Sequence, residues 1–402
     1  MQFKTGNIEL VRKINKSTIL KIIREKGPIS RADIARISKL NPTTVSNNVQ
    51  ILLESRIIKE VGNGESSGGR RPMLLELDGN SYYCIGIHMK KNEIIAAIVN
   101  LDGTIKYQTC SQLKEEKNKE DVLEVLKLCI SKVIQESKLN REVFLGIGIG
   151  VHGIVEAESG ISVYAPKYNW RNVNIKEIIE KEFEIPVFIN NDVNTMALGE
   201  KWFGAAKKAD NFIVIHIGNG IGSAIVIDKK LYSGINNAAG EIGHINILNN
   251  GPKCVCGNYG CLDAVASGEA LVKYVISQIQ MGATTNITQL VNDDLSKINE
   301  KVICEAAKMR DKLALDTLEQ CGKYLGIAIS SVVNLLNPNM IIISGTISFA
   351  GDYIFNSLIE VVKKKSMKEC LKDVSIIGAS LKEEGGVIGA STLVLQTIFG
   401  TN

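Results

Sequence analysis

Between residues 240 and 267 the chain reads GEIGHINILNNGPKCVCGNYGCLDAVAS. His244, one of four histidines, stands near its start, followed by Cys254, Cys256 and Cys261. Three of the nine cysteines thus fall within eight residues, spaced by Gly257 and Gly260. One imidazole and three thiolates complete a tetrahedral set for Zn2+, and the glycines let the backbone fold sharply around an ion. Such a set leaves no coordination position open, so the expected zinc is structural. The competing reading is a loop of reduced, inert thiols. Cys84, Cys110, Cys129, Cys304, Cys321 and Cys370 lie among apolar runs and are expected in the core.

The run Gly240-Glu241-Ile242-Gly243-His244, followed by C-x-C-G-x-x-G-C, resembles the signature of the repressor/ORF/kinase (ROK) family of sugar kinases and sugar-responsive repressors. The resemblance implies that His244 and the three cysteines hold zinc and that their loop braces a sugar site. Asp263 stands where the family usually has glutamate, which leaves a shorter carboxylate to reach a sugar hydroxyl.

A chain of 402 residues calls for two or three domains, and 45% apolar with 22% charged residues describes a soluble protein with a sizeable core. No 18-residue apolar run appears, and residues 1–20 are charged throughout, so neither a membrane span nor a signal peptide is expected. Unpaired cysteines and a zinc loop suit a reducing cytoplasm. The net charge of +4 is unevenly spread. Residues 1–77 hold 14 Lys+Arg against 7 Asp+Glu, while the remaining 325 hold 33 against 36. A basic front on a slightly acidic body points to a polyanion-binding module at residues 1–77 joined to a second domain at 78–402.

Apolar periodicity predicts a helix over 17–25, ended by Gly27-Pro28, then a Ser30-capped helix over 31–38 with Ala32, Ile34, Ala35 and Ile37 facing inward. Pro42 opens a third helix, about 42–55, with Val45, Val49, Leu52 and Leu53 as its buried stripe. Its other face carries Thr43, Thr44, Ser46, Asn47 and Asn48, short donors and acceptors suited to base edges in a major groove. Strands at 57–61 and 74–77, joined by a Gly/Ser loop carrying Arg70 and Arg71, look like the wing of a winged helix-turn-helix. Arg70 and Arg71 are expected on phosphate or in the minor groove. The alternative is a small helical protein-interaction domain with a basic face.

In the body, β-branched runs at 82–88 and 93–100, a helix at 121–135 and strands at 144–151 and 186–190 precede a helix from Asn191-Asp192 to about 203. A hairpin over 211–217 and 221–228 turns on Gly218-Asn219-Gly220, and helices over 265–335 lead to strands at 340–344 and 374–378. A last helix runs from about 385 to 399. Two successive α/β halves with mixed sheets follow from this order, and the pattern resembles the two-lobed actin/hexokinase-like fold of the ROK family. The implied small lobe is about 78–190 plus 385–402, and the large lobe about 191–384.

Several segments match the family's sugar site. Val151-His152-Gly153 stands where the kinases have G-V-P-G, Ala165-Pro166 with Asn169-Trp170 resembles A-P-N-x-x-W, and Asn191-Asp192 resembles the motif holding the kinases' catalytic base. Asn169, Asn191, Asp192, Glu241, His244 and Asp263 are therefore the expected sugar ligands, with amides, carboxylates and an imidazole to pair a ring of hydroxyls. Taken singly, Asn191 and Asp192 could merely cap a helix, Glu241 could be solvated, and Trp170 could be core. The family's D-x-G-G-T phosphate loop is replaced by Gly86-Ile87-His88-Met89-Lys90-Lys91, without its acid, paired glycines or threonine. Gly218-Asn219-Gly220-Ile221-Gly222 keeps only the glycines of a second phosphate segment. The resemblance therefore implies a sugar-responsive repressor without phosphotransferase activity, similar to the xylose-responsive branch. It would bind operator DNA as a homodimer or larger oligomer and answer to xylose or a glucose-like monosaccharide. The alternatives are an ATP-dependent sugar kinase carrying a DNA-binding domain, and a repressor governed by a partner protein.

Overall fold

The computed structural model of the chain describes residues 8–64, 71–114 and 118–400, with side chains from Ile14 onward. At the front lie α1 (Ile8–Lys26), β1 (Ile29–Ser30), α2 (Arg31–Ser38), α3 (Pro42–Glu54), β2 (Ile58–Asn63) and β3 (Met73–Leu77). Ser30 caps α2 by accepting from the Asp33 N–H at 3.1 Å, and Asn41 caps α3 by accepting from the Thr43 N–H at 2.8 Å, with Pro42 in the first turn. The three strands form an antiparallel sheet in the order β1-β3-β2. Two expectations for the head are corrected. Helix α1 starts nine residues before residue 17, and α2 turns Ala32 and Ile37 outward, Ile37 being 46% exposed. An eight-residue helix packed along one side buries a single stripe, which Ile34 fills.

The body opens with β4 (Tyr83–Met89), β5 (Glu93–Asn100), β6 (Ile105–Gln112), α4 (Lys119–Ser137) and β7 (Phe144–Val151). A small antiparallel sheet of β8 (Ile154–Glu156), β9 (Ile161–Ala165) and β10 (Trp170–Asn174) follows, then α5 (Ile175–Phe183) and β11 (Val187–Asn191). The second half holds α6 (Asp192–Trp202), β12 (Phe212–Ile217), β13 (Ile221–Ile227) and β14 (Lys230–Leu231). Helices α7 (Leu262–Ala266), α8 (Gly268–Gln280), α9 (Ile287–Leu290), α10 (Glu300–Lys308) and α11 (Lys312–Leu336) lead to β15 (Met340–Ser344). The chain closes through α12 (Asp352–Lys365), α13 (Lys368–Leu371), β16 (Ser375–Gly378) and α14 (Gly385–Phe399).

The two five-stranded sheets share one plan. In the order β11-β7-β4-β5-β6, a three-strand antiparallel meander continues into two parallel strands, and β16-β15-β12-β13-β14 repeats this arrangement. Each half therefore presents the carboxyl ends of its parallel strands toward a common cleft, where ligands of open α/β sheets bind. Cys110 and Cys370 depart from the expected core: Cys110 is exposed and Cys370 half-buried. Strand β6 is a sheet edge whose Thr109 faces inward, so its neighbour Cys110 faces out.

Glycines let the central elements meet backbone to backbone. A Cβ at Gly86 on β4 would sit 2.0 Å from the Val387 carbonyl oxygen, and one at Gly148 on β7 would sit 1.8 Å from that of Ala390, so α14 lies directly on the first sheet. Between α14 and α6 the same device recurs at Gly389, whose Cβ would sit 2.1 Å from the Thr195 carbonyl oxygen.

The head is not tethered by a loose linker. Its core residues Ile19, Leu20 and Ile23 share one apolar cluster with Cys84, Trp202 and Phe399 of the body. The Arg24 guanidinium lies 3.6 Å from the Trp202 ring centroid, and Trp202 meets Phe399 edge-on at 5.6 Å. The connecting residues are pinned on both sides, by Asp78 N–H donating to the Ile57 carbonyl, Leu101 N–H to that of Gly79, and Tyr82 Oη to that of Ser55.

Candidate functional site

A cavity of about 1250 Å³ lies between the two halves, larger than the roughly 300–1,000 Å³ of most small-molecule pockets. Five of the six expected sugar ligands, Asn191, Asp192, Glu241, His244 and Asp263, line it. Asn191 and Asp192 are placed by the junction of β11 with α6. The Asn191 Oδ1 accepts from the N–H groups of Val193 and Asn194 at 2.9 and 3.1 Å, and its Nδ2 donates to the Gly153 carbonyl at 2.9 Å. Most of its amide is spent on capping α6 and holding the 151–153 turn. Asp192 gives Oδ1 to the Val193 N–H at 3.0 Å and stands at the positive end of α6. Burial raises its carboxyl above the usual range, while nearby Lys167 pulls it back down.

Asp263 belongs to the opposite wall, in the first turn of α7. Its Oδ1 accepts from the Ile221 N–H at 2.7 Å, which ties the metal-type loop to the Gly218–Gly220 turn. A residue shortened by one methylene thus fastens a turn with one oxygen. Glu241, more than half exposed, has Oε2 at 3.8 Å from His244 Nε2.

Asn169 is not brought to the cavity. It closes the 3-10 turn at Pro166–Tyr168 in the left-handed region, φ 54°, and is exposed on the outside. Lys167 lines the cavity instead. Counted along A-P-N-x-x-W from Ala165, the asparagine position is Lys167; pairing it with Asn169 shifted the pattern by two. Trp170 is core, 1% exposed and 5.1 Å from the Tyr168 ring. Sequence reasoning also missed His216 on β12 as a cavity residue, since one histidine in an apolar strand carries no signal.

His244 and Cys254, Cys256 and Cys261 converge, with one ligand atom from each within 4.8 Å of all the others. Cys254 Sγ lies 3.6 Å from His244 Nδ1, and Cys256 Sγ lies 3.7 Å from Cys261 Sγ. With Zn–S bonds of about 2.3 Å, a tetrahedral ion separates its sulfur ligands by about 3.7 Å, so this cluster has the size of a zinc cage. Burial and two adjoining thiols push Cys261 up to about 12, so the set needs a cation to ionise together. Nδ1 of His244 faces the thiols and Nε2 faces Glu241, which leaves one nitrogen for a metal and one for the cleft.

On the head, Thr43, Ser46 and Asn47 are exposed on α3, and Thr44 and Asn48 are half-buried. Asn48 Nδ2 donates to the Thr44 carbonyl at 2.8 Å, which turns its amide back onto its own helix. Arg71 is exposed at the approach to β3, and Arg70 lies outside the described residues. Helix α6 runs from Asp192 at the cleft to Trp202 beneath Arg24 of the head, about 16 Å at 1.5 Å per residue.

Residues 84–397 match the ROK family, and residues 12–59 match the winged helix-turn-helix DNA-binding family. The chain belongs to the ROK family. It is 35% identical over 391 residues to the xylose repressor of Caldicellulosiruptor bescii, covering 97% of this chain and 98% of that one. Among solved structures, a ROK family transcriptional regulator described as a homologue of the Escherichia coli MLC protein superposes with a TM-score of 0.85 at 31% identity, covering 97% of each chain. A ROK family glucokinase from Streptomyces griseus, in complex with glucose and AMPPNP, superposes with a TM-score of 0.71 at 26% identity, over 78% of this chain and 99% of that one. The ROK body is thus shared with kinases, and the front domain of this chain is shared with a regulator. Among the described residues, no helix is long and apolar enough to cross a membrane.

Proposed function

We propose that this ROK protein is a transcriptional repressor that binds operator DNA through its winged helix-turn-helix and answers to a monosaccharide, xylose or a close relative, held in the cleft. The observation that carries the reading is the single helix α6, which begins at the cleft carboxylate Asp192 and ends in the Arg24 stack of the DNA-binding head. The relatives' names supply repression and xylose; the cleft supplies hydroxyl partners in Asp192, Glu241 and His244. Zinc in the His244, Cys254, Cys256 and Cys261 cage would hold the sugar loop and fix the His244 tautomer. A homodimer would present two heads to half-sites one helical turn apart.

Loss of phosphotransfer is supported at the end of β4. His88 and Met89 are buried there, and a Cβ at Gly386 would collide with His88 Nδ1 at 2.2 Å, so side chains occupy the place of a glycine-lined phosphate loop. Lys91 beyond them pairs with Glu269 across the cleft at 3.2 Å. An effector acts only by binding one conformation more tightly than another, and closure of the two halves across this cleft offers that difference.

The test is thermal melting of the full chain with xylose, glucose and N-acetylglucosamine, each with and without ATP. A native-state ligand at one hundred times its Kd adds about 2.7 kcal/mol, so one sugar should raise Tm by several degrees and ATP should add nothing. A large ATP effect would restore the kinase reading, and indifference to every sugar would favour control by a partner protein. For the DNA side, Arg71→Ala should weaken operator binding and lower the slope of log affinity against log salt by about one. An unchanged slope would remove Arg71 from the phosphate contacts.

A further inference from the structure

The second sheet ends at β16, and among the described residues no strand pairs with its outer edge. In a parallel ladder the N–H and C=O of one residue point to the same side, and alternate residues point to opposite sides. The N–H groups of Ser375 and Ala379 donate inward, to the carbonyls of Asn339 and Ile343. Ile376 and Gly378 therefore turn their N–H and C=O groups outward, where among the described residues no hydrogen-bond partner meets them.

Beside this edge runs a groove of about 370 Å³ between α12, α13 and β16. Its floor is Ile359 and Val362 of α12, Leu371 of α13, and Val374 and Ile376 at the strand. Ile359 and Val362 stand three apart on a helix, and Val374 and Ile376 two apart in extended chain, so each pair shares a face. These side chains continue the core of the second half, yet all except Val362 stay half-buried. The charged residues that line the groove are all lysines, Lys363, Lys368 and Lys372, and each is exposed. Glu360, Glu369 and Asp373 belong to the same stretch of chain but do not line it. Among the described residues none of the three lysines has an ion-pair partner.

Lysines by themselves guard an open edge against self-pairing. An apolar floor left half-covered beneath them serves no guard and marks a surface that something covers. We propose that this edge docks a partner protein, which adds an extended acidic segment as a strand beside β16. Alternate apolar side chains of that segment enter the groove, and its carboxylates meet Lys363, Lys368 and Lys372. Strand addition of this kind draws affinity from main-chain hydrogen bonds, here to Ile376 and Gly378, and specificity from the pockets beside them. A second copy of this chain, meeting β16 with β16, offers only the same lysine rim and no acid to match it. A nucleic acid matches the charge but leaves the five aliphatic side chains uncovered. The inference is independent of what the cleft binds.

The test is fluorescence anisotropy of the full chain with labelled peptides of about eight residues. One alternates valine with glutamate, and its counterpart carries lysine in place of glutamate. The glutamate peptide should bind at least about tenfold tighter than the lysine peptide, and it should slow hydrogen exchange at the Ile376 and Gly378 amides. Lys363→Glu, Lys368→Glu and Lys372→Glu together should reverse the preference. Gly378→Pro removes one outward N–H, and a Cβ there meets nothing nearer than the Phe355 side chain at 3.9 Å, so affinity should fall about fivefold in a folded protein. Melting curves of both variants establish that they fold. Equal binding of the two peptides, or binding of neither, overturns the docking site and leaves the lysines as guards of the edge. A lysine reversal that weakens a non-operator DNA duplex and leaves the glutamate peptide unchanged also overturns it, and makes the patch a nucleic-acid contact.

Discussion

Cys261→Ser should yield a repressor with almost no bound zinc, against about one ion per chain in the parent, and with sugar binding lost. Cys261 is 1% exposed and anchors the cage next to Asp263, whose carboxylate fastens the Ile221 N–H of the neighbouring turn. An alcohol is a poor ligand beside thiolates, and three remaining donors hold zinc far more weakly than four. Without the ion, three thiols and an imidazole no longer share a centre, and the loop carrying Glu241 and His244 loses its closure. Because metal binding and loop folding are one equilibrium, Tm should fall by at least ~5 °C. Metal analysis, melting and sugar calorimetry on the same preparation read all three effects. Zinc-free protein with parental sugar affinity would separate the cage from the cleft and remove His244 from the sugar ligands.

The second large effect is expected far from any ligand. At Gly389 a Cβ would stand 2.1 Å from the Thr195 carbonyl oxygen, closer than any real contact allows, and α6 would have to move off α14. Gly389→Val should therefore cost about 3 kcal/mol or more, at the upper end of overpacking effects, and lower Tm by about 3–4 °C or more. The displaced α6 carries Asp192 at one end and Trp202 at the other, so soluble variant protein should also lose the sugar's influence on DNA affinity. Parental stability would mean that the two helices stand further apart in solution.

How much of this could be read beforehand depended on how local each feature is. Residues 254–261 contain three of the four cage donors, and the helices of the head announce themselves through the cap Ser30 and the first-turn Pro42, whose roles are decided within four residues. Asn191 and Asp192 were legible as a strand-to-helix junction for the same reason. The Gly389–Thr195 contact was not, because its partners are 194 residues apart and a glycine in an apolar run has several meanings. Lys167 was missed because a lysine stands at the asparagine position of A-P-N-x-x-W and Asn169, two residues on, was paired with the pattern in its place; the short turn directs Lys167 to the cavity and Asn169 outward. The β8–β10 sheet escaped notice because strands as short as Ile154–Glu156 show no alternation to count. Ile37 was expected inside from helical periodicity and Cys110 from its apolar surroundings; an outer helix face and an edge strand decided otherwise.

The pinned joint between head and body has a consequence for the operator. With Asp78, Gly79 and Tyr82 hydrogen-bonded into both parts, and Arg24 wedged against Trp202, the head cannot swing freely about its attachment. A pair of such chains would act as a calliper whose jaw width is set by how the bodies associate. Half-sites centred about 34 Å apart would be gripped, and sites with an extra base pair between them would be penalised in both spacing and rotational phase, with no slack in the protein to absorb either.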